Sequence, residues 1–174
     1  MQNIYVILMH TNTMPSNFVK LFTRYKYSHV ALSLTKDCYK TYSFGRKSLY
    51  NILNGGFSIQ KKDGEFFTKF NNTNCKIYEV QVTDEQYEEI KNRLETMEQN
   101  STSYKYDFLG CGLRWLGMPV TFENRYVCSY FIANVLEEAK VCEFEKDTSF
   151  VVPKDFENMY SNSEIYTGKY LSYI

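Results

Sequence analysis

In the stretch RYVCSYFIANVLEEAK, Arg125 to Lys140, a cysteine stands where an aromatic, apolar run turns into a helix. Phe131, Ile132, Val135, Leu136 and Ala139 recur at helical spacing and form one apolar face. Cys128, one turn ahead of Phe131 and Ile132, shares that inward face in the first turn. A thiol so placed sits at the positive end of the helix, where free backbone N–H groups and the macrodipole favour the thiolate, the nucleophilic form. The same N–H groups suit a developing oxyanion. Position alone also fits a buried structural thiol, since free cysteine is among the most buried residue types. A second residue has to decide between the two readings.

A nucleophilic cysteine needs a base, and the chain has only two histidines, His10 and His29. His29 opens the run SHVALSL, in which Val30, Leu32 and Leu34 form one face and His29, Ala31 and Ser33 the other, small and polar one. A hairpin turn through Thr35 to Asp37 makes CYKTYSF the partner strand, with Tyr42 and Phe44 on the apolar face and Thr41 and Ser43 on the polar face. That register brings Ser43 near His29. A histidine on a small-residue face, with a polar neighbour to orient its ring, is what a nucleophilic thiol requires of its base. His10 ends the first strand with nothing around it to suggest a partner.

The elements that must position these residues follow from periodicity. Ile4 to Met9 is a short, continuous, branched run that predicts a strand buried on both faces, and Pro15 to Arg24 predicts a helix with proline in its first turn. A short strand is expected around Phe57 to Gln60 and another over KIYEVQV. Thr83 and Gln86 stand at capping-box spacing ahead of the stripe Tyr87, Ile90, Leu94 and Met97, which predicts a helix. YDFLGCGLRWLG predicts a short helix, PVTFENRYV an extended lead into Cys128, and the tail after Val141 a loop with one or two short strands. The two glycines of NGGF fit a turn or a close backbone approach, and the polar segment 44–64 fits a lid over the site and an ordinary connection equally well. This mixed order of elements points to an α+β fold with an antiparallel sheet.

Composition bounds the function. At 174 residues the chain fits one domain, 1–174, and an apolar fraction of 44% with 16 Tyr and 13 Phe is that of a folding chain. Lys plus Arg equals Asp plus Glu at 20 each, which argues against a nucleic-acid partner. Five scattered cysteines with no C-x-x-C pair suit a reducing compartment, and neither a signal-like start nor a transmembrane segment is apparent, so a cytoplasmic location is expected. Closely spaced Cys/His pairs for zinc are absent, and the chemistry suggested by Cys128 and His29 calls for no cofactor.

Together YSHVALSL, YSFGR and GGF in the first half and YDFLG and RYVCSYFIANVL in the second resemble the circularly permuted NlpC-type papain-like cysteine hydrolases, a group that includes YiiX-like bacterial proteins. The resemblance covers most of the chain and lies in the order of short motifs, the His strand preceding the Cys helix. It implies a permuted papain-like fold, Cys128 as nucleophile, His29 as base and a third polar residue on the following strand. That third position departs from relatives that carry a carboxylate or imidazole there: this chain offers Thr41 or Ser43, and the hairpin register selects Ser43. A hydroxyl accepts a hydrogen bond from the ring but does not stabilise imidazolium as a carboxylate does. The expected function is hydrolysis of an amide or ester through an acyl-enzyme, on a small peptide, a cell-wall fragment or a lipid-like substrate. The alternatives are a lipid acyltransferase or phospholipase of the same fold, and a catalytically weak binding module. Tyr104, Tyr106 and Asp107 precede the Cys helix, where packed aromatics explain them, and Arg46 is a candidate binder of a substrate carboxylate.

Overall fold

The computed structural model describes residues 1–11, 25–47, 54–118 and 120–174, so the helix expected over Pro15–Arg24 lies outside the described residues. The strands are β1 (Gln2–His10), β2 (His29–Ser33), β3 (Lys40–Arg46), β4 (Gly55–Lys61), β5 (Asn74–Val82), β6 (Lys105–Tyr106), β7 (Arg125–Tyr126) and β8 (Glu164–Lys169). Six of them form one antiparallel sheet in the order β4-β3-β2-β1-β5-β8, while β6 and β7 pair in parallel. The fold is α+β. β1 lies at the centre, paired with β2 from Tyr5↔Ser33 to Met9↔His29 and with β5 from Gln2↔Val82 to His10↔Asn74. Every side chain from Ile4 to Met9 is buried, as a strand covered on both faces requires.

The helices are α1 (Glu65–Lys69), α2 (Asp84–Gln99), α3 (Phe108–Trp115), α4 (Cys128–Glu138) and α5 (Pro153–Tyr160). Thr83 and Gln86 form the expected capping box on α2, whose Ile90, Leu94 and Met97 are buried. On one face of the sheet Val6, Leu8, Val30, Leu32 and Phe44 meet those α2 residues, Phe131, Ile132, Val135 and Leu136 of α4, and Phe156 of α5. The other face carries Tyr5, Ile7, Met9, Ala31 and Ile77 under Phe67 of α1 and Tyr170, which follows β8 and donates from its hydroxyl to the Cys38 carbonyl at 2.5 Å.

Two helices depart from the sequence expectation. In the tail, α5 forms where only loop and strand were expected: Pro153 opens it, the Asp155 carboxylate accepts the Val152 N–H at 2.7 Å, and Phe156 and Tyr160, one turn apart, are buried. Its periodic stretch is too short to stand out from the sequence, and docking completes it. The single turn of α1 is likewise held by the burial of Phe67. Among its described residues the segment 44–64 is for the most part sheet, with β4 paired to β3 residue for residue from Lys40↔Lys61 to Arg46↔Gly55, and positions 48–53 lie outside the described residues.

The Gly55–Gly56 pair is a close backbone approach. β6 crosses the ends of β3 and β4, and a Cβ on Gly55 would come within 2.7 Å of the Tyr106 Cβ, while one on Gly56 would collide with the Tyr104 carbonyl. Among the described residues no helix is long and apolar enough to cross a membrane.

Glycine therefore has opposite value at two sites. Gly56→Ala should destabilise the protein by about 1–3 kcal/mol, since backbone must move to admit the methyl group. Gly112→Ala in α3, where a Cβ meets nothing within 4 Å, should stabilise it by about 0.5–1 kcal/mol. Urea unfolding of both variants checks the pair; a neutral or stabilising Gly56→Ala contradicts the close approach.

Candidate active site

α4 seats on β2 and β3, and its Phe131 ring packs 4.9 Å from Phe44 of β3 and 5.8 Å from Phe57 of β4. The residue before the helix, Val127, offers no side-chain cap, so the first-turn N–H groups remain for Cys128. The backbone amides of Val30, Ser129 and Cys128 itself lie near enough to the buried sulfur to favour its thiolate. Two of these donors belong to the start of α4, and the third is the amide of the residue that follows His29.

These donors lower the thiol pKa, as the helix position led us to expect, yet burial outweighs them and pushes the Cys128 thiol up to about 11. The resting group is a thiol, not a thiolate. The helix end acts over a fraction of a charge, whereas removing water penalises the full charge of the thiolate.

His29 is partly exposed and leaves β2 beside Ala31, on the face away from Val30. The Leu32↔Tyr42 register, carried along the ladder, sets Gly45 opposite His29, and the ring's Cε1 lies 3.4 Å from where a Gly45 Cβ would be. Burial, and then the charge of Arg46, lower the imidazole pKa to about 4. The ring is thus neutral at physiological pH and able to accept a proton. Among the described residues no hydrogen bond joins it to the sulfur, which lies near the Val30 amide and whose helix packs on the opposite face of β2.

Ser43 stands two residues along the ladder from the place opposite His29, facing Ala31, and its hydroxyl donates to the Val30 carbonyl at 2.5 Å. It anchors the strand beside the sulfur instead of orienting the ring. Thr41, the other hydroxyl considered, donates to the Gln60 carbonyl. His10 is buried with its Nδ1 3.5 Å from the Ser28 hydroxyl.

Tyr106 enters the site as a residue the sequence reading set aside. Its phenol pKa is raised well above the usual value by burial and then by the nearness of Cys128, and its ring stacks on Phe108 at 4.7 Å. Gly55 allows this placement. The next residue, Asp107, caps α3 through the Gly110 N–H at 2.9 Å and meets the Arg114 guanidinium at 2.9 Å in a buried pair, fixing the turn that carries Tyr106. The signal was there in the sequence, in the Gly-Gly pair at 55–56 and the Tyr-x-Tyr-Asp run, but only the fold brings the two together.

Two outcomes follow from the titrations. His29 has a folded pKa of about 4 against about 6.5 unfolded, so the unfolded chain binds the extra proton and stability falls as pH drops from 6.5 toward 4. The loss is on the order of 2–3 kcal/mol, and His29→Gln should flatten the melting temperature over that window; an unchanged slope contradicts the burial. Cys128 should be alkylated by iodoacetamide with an apparent pKa above the roughly 8.5 of a free thiol, and more slowly than exposed Cys111 at neutral pH. Mass mapping of the two sites checks it, and a fast Cys128 at neutral pH would show that the buried thiol ionises after all.

No protein-family model, curated protein or solved structure matches the chain, so the reading of the site rests on these residues alone.

Proposed function

We propose that the protein is a cysteine hydrolase of amidase or peptidase type, with Cys128 as nucleophile and His29 as base on a permuted papain-like arrangement. The observation that carries the reading is a buried thiol at the start of α4, close to the amide of Val30, the residue that follows His29. Because both groups rest neutral, proton transfer accompanies attack. To take the thiol proton as the sulfur bonds to the carbonyl carbon, the His29 side chain, which lies on the face away from Val30, has to swing around the start of β2 toward the sulfur. The first-turn N–H groups of α4 receive the oxygen, which gains negative charge. The imidazolium returns its proton to the leaving nitrogen or oxygen, the bond to it breaks, and an acyl-enzyme remains. Water, deprotonated by His29, then attacks the thioester and releases the acid and the thiol. Ser43 acts as a positioning residue through Val30. All five thiols are free, which fits work in a reducing, cytoplasmic setting.

A second reading has its own observation. Phe108, Leu109, Leu116 and Met118 on α3 and the turn after it are 47%, 62%, 66% and 47% exposed, and Phe108 stacks on Tyr106 beside the thiol. An apolar rim at the site favours a lipid-like acyl group, handed to an acceptor as in an acyltransferase or phospholipase.

Incubation with p-nitrophenyl acetate and with its long-chain homologue, read by intact mass and peptide mapping, tests both. One acyl group on Cys128 is expected, with release of p-nitrophenol lowered at least about 100-fold in Cys128→Ser and in His29→Gln. A strong preference for the long chain selects the lipid reading. Absence of acylation at Cys128, or indifference to both substitutions, leaves a binding module.

A further inference from the structure

α3 buries its charge and exposes its leucines. Arg114 is buried in its pair with Asp107, while Leu109, half-buried Leu113 and Leu116 follow at i, i+4 and i+7 along the opposite side, with Leu109 and Leu116 exposed. A surface helix in water shows the reverse arrangement. A Cβ on Gly112, between Leu109 and Leu113, would meet nothing within 4 Å, so that side of the helix is open. With Phe108 and Met118, four large apolar side chains stand exposed within eleven residues, and among the described residues no other stretch of that length has as many.

The surroundings of this face are basic. From Phe108 to Met118 the sequence has no carboxylate. Lys105 and Arg125, opposite each other where β6 pairs with β7 just ahead of α3, are both exposed, against one exposed carboxylate, Glu123, between Asp107 and Arg125. The apolar patch itself covers roughly a few hundred Å², whereas a stable protein pair needs about 800 Å² from each partner. A bilayer asks for no matching surface: its interface takes up the apolar side of a helix to a depth of about 5–10 Å, and anionic headgroups attract the cations beside it.

We infer that α3 is a membrane-docking element, which seats Phe108, Leu109, Leu116 and Met118 in the surface of an anionic lipid bilayer with Lys105 and Arg125 at the headgroups. The inference goes beyond the acyl-transfer reading and does not depend on it. Phe108 belongs both to the apolar face and to the stack on Tyr106, so docking holds the β6–α3 turn at the lipid surface.

The chain's single tryptophan, Trp115, is the last residue of α3 and supplies the readout. Titrating the full chain with mixed phosphatidylcholine–phosphatidylserine vesicles should give a saturable blue shift of its emission, and the protein should sediment with the vesicles. The double substitution Leu109→Ser with Leu116→Ser should weaken binding at least about tenfold. Lys105→Gln with Arg125→Gln should weaken it about tenfold, and so should vesicles of phosphatidylcholine alone. All four side chains are exposed, and an unchanged urea midpoint checks that each variant is folded. Absence of binding, or binding that survives the leucine pair, overturns the inference, and equal binding to neutral vesicles overturns the anionic surface. Sedimentation velocity without lipid tests the rival occupant: a dimer that dissociates in the leucine variant gives the face to a second copy and overturns membrane docking. Cys128→Ser should bind vesicles as the parent chain does, so a failure of the acyl-transfer reading leaves this test standing.

Discussion

The apolar face of α4 lies on β2 and β3, and that contact determines both where the thiol is and what state it is in. Burying Phe131 against Phe44 of β3 and Phe57 of β4 seats the helix on the sheet, where it also packs on β2, the strand that carries His29 and Val30. The same burial strips water from the corner. Thiol and imidazole are both pushed toward their neutral forms there, Cys128 upward and His29 downward. A site of this kind holds its chemistry in reserve. Neither partner is charged at rest, and the balance shifts only when something supplies what the lost water supplied.

Around this contact the rest of the chain is support. The sheet gives β2 two neighbours, Ser43 holds the Val30 carbonyl, and the Gly55–Gly56 pair lets β6 cross closely enough for Tyr106 to stand beside the sulfur. The Asp107–Arg114 pair, buried at the head of α3, belongs to the same support. Such a pair costs desolvation, and breaking it would strand a buried charge, so its worth lies in fixing one arrangement of the turn.

Much of the fold was legible because the deciding interactions are local. The Thr83–Gln86 box and the Ile90, Leu94 and Met97 stripe are helix signals within one stretch, and the alternation of β2 already separates Val30 and Leu32 from His29 and Ala31. The apolar face of α4 could be read the same way, and so could Cys128 at its start. What escaped depends on distant partners. α5 needs the core to dock its two aromatic residues, the sign of the Cys128 shift needs the depth of burial, and the Ser43 contact needs the ladder register near Ala31 rather than the hairpin alone. The neighbourhoods of Tyr106 and Arg46 join segments far apart in the chain, and no spacing rule links Arg46 to Phe66 and Phe70.

The edge strand β8 has a consequence for the order of assembly. β5 pairs on one side with β1, from the beginning of the chain, and on the other with residues 164–169, and Tyr170 then reaches back to the Cys38 carbonyl beside the β2–β3 turn. Until that last strand arrives, β5 presents an open edge of unpaired backbone, and the turn at Cys38, whose φ of 50° is a strained value for a non-glycine residue, lacks the hydroxyl that holds it. A nascent chain that already contains the whole Cys128–His29 corner is therefore still a chain with an adhesive side. Its protection against pairing with other chains comes last, from the residues farthest from the beginning of the sheet.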